Sequence, residues 1–186
     1  MEASKGWYQY AWSPVIGCKH GCAYCYARDM FDDYENPRFF VKRLSEPEKY
    51  AKPSVIFVCP YADLFGDWVP ELWINSVIEV VRQNPIHQFV FITKNPGRYH
   101  EFRFPDNVYL GVTVESPEKI FRAKELDGMP NKKLASIEPV MGDFTGVDLS
   151  VFDWVVCGYM IGRKTTKQDR NNMKSISHAN KYIIIR

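Results

Sequence analysis

Short apolar runs alternate along the chain with stretches whose apolar residues recur at helical spacing. The runs are rich in β-branched residues and are bounded by turn-forming residues, which is typical of buried strands. They predict strands over residues 6–12, 54–59, 88–93, 107–113, 133–137, 154–157 and 182–185.

The stretches between these runs predict helices. The clearest covers 70–83, where Ile74, Val77, Ile78 and Val81 fall on one face and Pro70 stands near the start. A serine N-cap followed by proline and an acid predicts a helix over 116–126. Further helices are expected over 23–34, 97–101 and 171–181, with a short one from Ser45.

Alternating strands and helices with continuously apolar strands indicate a parallel sheet covered by helices. About six such repeats favour an α/β fold in the form of a partial (βα)6 TIM-like barrel with parallel strands. A doubly wound sheet is the competing architecture, because periodicity does not separate the two. We expect one domain over residues 1–186, whose basic segment 163–186 looks truncated.

The composition narrows the setting. A chain of 186 residues with 46% hydrophobic content can bury a sizeable core. It has no apolar run of about 18 residues, so no membrane span is expected. Residues 1–6 also lack the apolar region of a secretory signal. Five cysteines, three of them clustered, favour a reducing, cytoplasmic setting.

Charge is unevenly distributed. Residues 163–186 contain seven Lys or Arg and one Asp, which gives this segment a charge of +6. Because the net charge of the whole chain is +2, residues 1–162 carry −4. Such a segment is usually a solvated surface, although it could also contact phosphate or an acidic partner.

Three cysteines, Cys18, Cys22 and Cys25, lie within eight residues of the segment 17–27, which we term the cysteine loop. Thiolates are ligands for zinc, copper(I) and iron–sulfur clusters. Structural zinc requires four ligands, and the loop could add only His20, which is otherwise expected to face solvent. A ferredoxin cluster also needs a fourth cysteine. Three thiolates therefore suggest a four-iron cluster with one iron open to another ligand.

Polar residues follow several predicted strands. Asp63, Lys94, Glu115 and Glu138 would meet at the carboxyl edge of a parallel sheet, where reactive groups gather. Alternatively, Lys94 and the two glutamates could pair with one another, and Asp63 could cap a turn. Two further cysteines, Cys59 and Cys157, are expected to be small buried core residues.

The spacing C-x3-C-x2-C, with Tyr24 before the third cysteine, resembles the signature of the radical S-adenosylmethionine superfamily. The runs W-S-P-V-I-G-C, C-A-Y-C-Y-A, A-D-L-F-G-D-W-V-P, F-I-T-K-N-P, L-G-V-T-V-E, S-I-E-P and D-W-V-V-C-G narrow the resemblance. They are similar to an uncharacterised radical-SAM-like family frequent in phages and prophages, and distantly to spore photoproduct lyase. The resemblance also implies a partial (βα)6 barrel.

The same resemblance implies that the three cysteines bind a [4Fe–4S] cluster whose open iron takes S-adenosylmethionine. A one-electron donor of the flavodoxin or ferredoxin type would then allow cleavage to a 5′-deoxyadenosyl radical. Cofactor-binding residues would be Tyr24, Asp63, Lys94, Glu115 and Glu138. Neither the substrate nor a catalytic residue is identified.

One segment departs from that family, because residues 158–162 read G-Y-M-I-G in place of a G-G-E-S-G-like run and so remove an acid. Two alternatives therefore stay open. The chain could be a non-catalytic zinc or iron–sulfur module or an inactive family member. It could also be an enzyme of nucleic-acid repair or modification, in which case nucleic acid would be its partner.

Overall fold

The computed structural model describes residues 6–176 and, for the backbone alone, 183–185. Its strands are β1 (Tyr10–Trp12), β2 (Val15–Ile16), β3 (Arg38–Phe39), β4 (Val55–Val58), β5 (Gln88–Thr93), β6 (Val108–Thr113), β7 (Lys132–Ile137), β8 (Trp154–Cys157) and β9 (Ile183–Ile185). Its α-helices are α1 (Glu71–Gln83) and α2 (Lys167–Ile176).

The main sheet has the order β1-β4-β5-β6-β7-β8-β9, and all its strand pairs are parallel. Each strand lies beside the one before it in this sheet, whereas a doubly wound sheet reverses its direction of growth part-way. Six of the strands, β1 to β8 without the small β2–β3 pair, curl into a half-barrel. The predicted partial barrel is therefore confirmed.

Successive side chains along the strands point to opposite faces of the sheet and so belong to two different clusters. Phe89, Phe91 and Leu110 belong to the large core between the sheet and the surrounding helical segments. Val90, Leu134 and Val156 face the other way and form a separate cluster with Trp7 inside the half-barrel. This inner cluster fills part of the half-barrel beneath the residues that line the candidate site.

Helix α1 confirms the strongest helical prediction. Ile74, Val77, Ile78 and Val81 are all buried, and the helix begins directly after Pro70. In the part of the chain that the structure describes, no helix has the length and apolar character that a membrane span requires.

The predicted helix over 23–34 is wrong. A single 3-10 segment, Tyr26–Met30, takes its place. Among residues 23–34 only Ala27 and Tyr34 are buried. The other apolar residues of the segment are at most partly buried, so an α-helix there would gain little from tertiary packing, which supplies most of a helix's stability.

Other boundaries differ in smaller ways. The helices expected over 97–101, over 116–126 and from Ser45 are 3-10 segments: Pro96–Glu101, Pro117–Leu126, Val41–Ser45 and Pro47–Lys49. Helix α2 begins earlier than predicted, and residues 177–182 of the last predicted helix and strand lie outside the described residues.

The amino-terminal part also differs from the prediction. Strand β1 begins only at Tyr10, because Trp7 turns into the inner cluster and packs on Phe57 and Trp154. The antiparallel pair β2–β3 was not predicted.

Candidate functional site

The cysteine loop follows β2 and is fixed at its first residue. Gly17 has φ +106°, and a Cβ there would come within 2.8 Å of both the Pro37 Cα and the Tyr34 carbonyl oxygen. Only glycine fits this conformation and this space. The Gly17 amide donates to the Tyr61 carbonyl at 3.0 Å, and the Cys18 amide donates to the Tyr34 carbonyl at 2.9 Å. The chain thus enters the loop along a defined path.

A cavity of about 380 Å³ opens between the cysteine loop and the carboxyl edge of the sheet. Its walls include all three loop cysteines together with predicted site residues from several strand ends, namely Tyr24, Asp63, Lys94 and Glu138. The structure therefore brings these residues together, as predicted. Glu115 is not part of the cavity wall.

The thiols of the loop differ from those of the core. None of the five cysteines forms a disulfide, and Cys18, Cys22 and Cys25 are partly exposed. Cys59 and Cys157 are buried, as predicted, and burial raises the pKa of each to about 12. Burial also raises the pKa of Cys18, to about 11. A centre bound by Cys18 must therefore displace its proton.

The donor set fits a soft metal centre with three protein ligands. Three free thiols on one loop face one cavity, which suits an iron–sulfur cluster better than a four-ligand zinc site. In the described residues, however, no three Cys, His, Asp or Glu side chains are gathered closely enough to hold a single metal ion.

His20 is only partly exposed and does not project freely into solvent, in contrast to the prediction. Its Nε2 atom lies 2.7 Å from Oδ2 of Asp63, and its side chain is 24% exposed. A carboxylate only accepts hydrogen bonds, so Nε2 is the donor. The imidazole also meets the edge of the Trp68 indole at 4.8 Å between ring centroids. These contacts attach the middle of the cysteine loop to the strand ends.

Asp63 accepts four hydrogen bonds. Besides His20, its donors are the Phe65 amide at 3.1 Å, the Thr93 hydroxyl at 2.6 Å and the Lys94 amide at 2.9 Å. Burial alone would raise the pKa of Asp63, but the bonds from His20, Lys94 and Thr93 outweigh it and lower the pKa. The bond to Phe65 confirms the turn-capping alternative. Asp63 thus joins three segments of the site.

Lys94 and Tyr24 lie together at the cavity wall. The ammonium nitrogen of Lys94 is 5.5 Å from the centre of the Tyr24 ring, within the range of a cation–π contact. The Tyr24 hydroxyl is buried without a hydrogen-bond partner in the described part of the chain. Burial raises the pKa of Tyr24, and the nearby Glu115 and Cys22 raise it further.

Glu115 has a different partner from those anticipated. Its Oε2 atom lies 2.8 Å from Nη1 of Arg122, and both side chains are nearly buried. Burial would raise the pKa of Glu115, but its own amide and the charges of Lys94 and Arg122 lower it. The sequence left open that Lys94, Glu115 and Glu138 pair with one another. In the structure, Glu115 instead forms its ion pair with Arg122.

Glu138 reaches the cavity beside β8. The Ser136 hydroxyl lies 3.4 Å from its Oε2, and a Cβ on Gly158 would stand 2.8 Å from its Oε1. Gly158 therefore leaves room for this carboxylate. The residues that follow, Tyr159, Met160 and Ile161, line the cavity in place of an acid.

Two residues of the site were not found from the sequence. Tyr34 is buried next to the cysteine loop, and burial together with the nearby Cys25 and Cys18 raises its pKa. Arg122 neutralises Glu115. Neither Tyr34 nor Arg122 belongs to a recognisable sequence motif, so the local sequence did not indicate that either residue is part of the site. The run A-D-L-F-G-D-W did contain a signal for His20's partners, Asp63 and Trp68.

Comparison with known families decides the membership of this chain. The model of the family described as "Protein of unknown function (DUF5131)" matches residues 2–183. The chain belongs to this family. Its description assigns no activity, and a comparison with functionally curated proteins finds no match. The phage association anticipated from the motifs stays a prediction.

Solved structures of spore photoproduct lyase share the fold. A cysteine-to-serine mutant aligns with a TM-score of 0.66 at 17% identity, over 96% of this chain and 64% of the lyase. A complex with a dinucleoside spore photoproduct gives 0.65 at 16% identity over the same shares. A double mutant with bound AdoMet and dinucleoside gives 0.60 at 16% identity, over 91% of this chain and 61% of the lyase. The predicted likeness to this enzyme is thus confirmed at the level of fold, over less than two thirds of its length.

Proposed function

We propose that this chain is a radical S-adenosylmethionine enzyme in which Cys18, Cys22 and Cys25 bind a [4Fe–4S] cluster. The observation that supports it most is the placement of three free thiols on one wall of a half-barrel cavity. The same fold binds AdoMet, which is S-adenosylmethionine, in spore photoproduct lyase. When bound and reduced, the cluster would supply reductive cleavage of S-adenosylmethionine to a 5′-deoxyadenosyl radical.

The residues of this chain would bind and orient that cofactor. Lys94 offers an ammonium to the carboxylate of the methionine moiety, and Glu138 offers a carboxylate to its amine or to the ribose hydroxyls. Tyr24 gives an aromatic face at the cavity wall. Asp63 and Glu115 act differently, because Asp63 is buried among four protein donors and Glu115 is paired with Arg122 outside the cavity wall. We assign these two to holding the site in shape.

The apolar wall of the cavity has a separate task. Phe57, Ile92 and Met160 line it and would exclude water from a reactive radical. A one-electron donor of the flavodoxin or ferredoxin type and a reducing compartment such as the cytoplasm complete the proposal, because reductive cleavage consumes one electron and the thiols must stay unoxidised to bind a cluster.

Anaerobic reconstitution with iron and sulfide tests this function. We expect about four irons per chain, and 5′-deoxyadenosine after addition of dithionite and S-adenosylmethionine. Cys22→Ala should lose both, whereas Cys157→Ala, which removes a buried thiol from the core, should keep both. Stoichiometric zinc in a colourless protein after reconstitution would contradict the proposal.

A non-catalytic metal-binding module is the second candidate. The apolar segment Tyr159, Met160 and Ile161 favours it, since this segment supplies no acid where the related motifs have one. Such a module would bind metal through the same cysteines but would produce no 5′-deoxyadenosine.

A nucleic-acid substrate follows from a different observation. The lyase with the same fold has been solved with a dinucleoside spore photoproduct, and the segment 163–186 of this chain is basic. Binding of single-stranded or duplex DNA that weakens with salt would support this substrate class, and absence of binding at low salt would remove it.

A further inference from the structure

The segment 62–70 lies against the cysteine loop and is built to hold an aromatic ring there. A Cβ on Gly66 would lie only 2.3 Å from the Trp68 ring, so glycine is required for the observed position of the indole. The ring in turn packs edge-on against His20. The His20 ring is thereby confined on one side by Trp68.

Asp63, from the same segment, fixes the His20 ring through a hydrogen bond. Its carboxylate is buried, with a side chain 7% exposed, and three donors besides His20 hold it. A bond from an imidazole to such a fixed, ionised acceptor is charge-assisted and well oriented. His20 lies two residues from Cys18 and two from Cys22, so its position limits that of both thiols.

We infer that His20 is a positioning residue, which orders the cysteine loop through Asp63 so that the thiols face the cavity before any cluster is assembled. This inference deepens the proposed function and rests on it for the purpose of the loop. The ordering itself does not depend on a bound cluster.

The competing role for His20 is that of a metal ligand. A histidine that binds a metal through one ring nitrogen commonly donates its other N–H to a carboxylate, so the bond to Asp63 alone fits both roles. The structure favours positioning, because the His20 ring is held on one side by the 2.7 Å bond to Asp63 and on another by the packed indole of Trp68. The substitution His20→Gln distinguishes positioning from metal binding. The glutamine side-chain amide can donate a hydrogen bond to Asp63 but is a poor metal ligand.

The first experiment uses the metal-free protein and amide hydrogen exchange over residues 17–25. His20→Leu should speed exchange of the loop amides on the order of tenfold, the effect of losing one charge-assisted hydrogen bond. His20→Gln should restore slow exchange. His100→Leu is the matched control: it also removes a 2.7 Å bond from a histidine Nε2, here to the Glu125 carbonyl, and His100 does not line the cavity. Loop exchange in that control should equal that of the unaltered chain.

The second experiment uses the reconstituted protein and measures iron release to a chelator. His20→Leu should release iron at least about tenfold faster, as loss of the residues that hold metal ligands in place does at other metal sites, and His20→Gln should stay close to the unaltered chain. The spectrum of the reduced cluster should be the same in the unaltered chain and the glutamine variant. If the leucine variant does not fold, as judged by thermal unfolding, His20→Ala replaces it.

Two results would overturn the inference. One is slow exchange and slow iron release in His20→Leu. The other is equal impairment of the leucine and glutamine variants, which is expected of a ligand. If the unaltered chain forms no cluster, the proposed function fails, and hydrogen exchange in the metal-free protein still decides the role of His20.

Discussion

Glu115 and Arg122 form an ion pair of 2.8 Å whose side chains are 11% and 12% exposed. The same guanidinium nitrogen also donates to the Thr113 carbonyl at the end of β6. Arg122 belongs to the 3-10 segment Pro117–Leu126 that follows β6, so the pair joins that segment to the strand end. Glu115, which was predicted from the sequence to bind the cofactor, is therefore paired with Arg122 of the same chain.

Replacing Glu115 by glutamine should destabilise the fold. The guanidinium of Arg122 would remain nearly buried without its counter-ion, which costs about 3 kcal/mol in comparable buried pairs. Urea unfolding followed by tryptophan fluorescence measures the change. Glu125→Gln, an exposed position in the same segment, should leave the unfolding midpoint unchanged. A midpoint for Glu115→Gln equal to that of the control would contradict the role of the pair.

The same pair predicts a pH dependence of stability. The pKa of Glu115 is lowered in the folded chain, while the pKa of an unfolded glutamate is about 4.3. The stability that its charge contributes is present above that pH and is lost as pH falls through the folded value. In Glu115→Gln the acid side of the stability–pH curve should therefore be flatter. Parallel curves for the two proteins would show that Glu115 contributes nothing by its charge.

Gly17 should tolerate no side chain. Alanine there would adopt a positive φ and also collide with the Pro37 Cα and the Tyr34 carbonyl, so Gly17→Ala should cost about 3 kcal/mol. Gly21→Ala is the matched control, because Gly21 also has a positive φ of +65° but open space around it. It should cost only about 1 kcal/mol. Equal losses in chemical denaturation would mean that the collision at Gly17 is relieved by movement of the loop.

Thiol alkylation should divide the cysteines into two groups. In the folded, metal-free chain, iodoacetamide should modify Cys22 and Cys25, which are partly exposed, and Cys18 more slowly, because burial raises its pKa to about 11. Cys59 and Cys157 should react only after unfolding, because they are buried and burial raises the pKa of each to about 12. Peptide mass spectrometry identifies the modified residues. Rapid labelling of Cys157 in the folded chain would contradict the packing of β8.

Much of the fold could be predicted because the strands carry their signal locally. Gln88–Thr93 and Trp154–Cys157 have the predicted bounds, since each is an unbroken run of strand-forming residues between turns. The failures concern segments whose conformation is set by distant contacts. The predicted helix over 23–34 is only the 3-10 segment Tyr26–Met30, because few apolar residues of that stretch find a packing partner in the folded chain. Trp7 leaves the predicted first strand because it packs inside the half-barrel.

The candidate site shows the same division. Its cysteines and strand-end residues were indicated by spacing and by the geometry of parallel sheets. Their partners were not, because His20 and Asp63 are 43 residues apart and Arg122 lies in a segment without a motif. Which donors occupy Asp63 and Glu115 depends on the folded arrangement, so the sequence could not separate cofactor contacts from structural ones.

Electron paramagnetic resonance of the reduced, reconstituted protein tests the central claim most directly. A cluster bound by three cysteines has one iron without a protein ligand, to which S-adenosylmethionine can bind. We predict a [4Fe–4S] signal that changes when S-adenosylmethionine is added. A signal that does not change on addition, or no signal in a protein that has taken up only zinc, would contradict the claim.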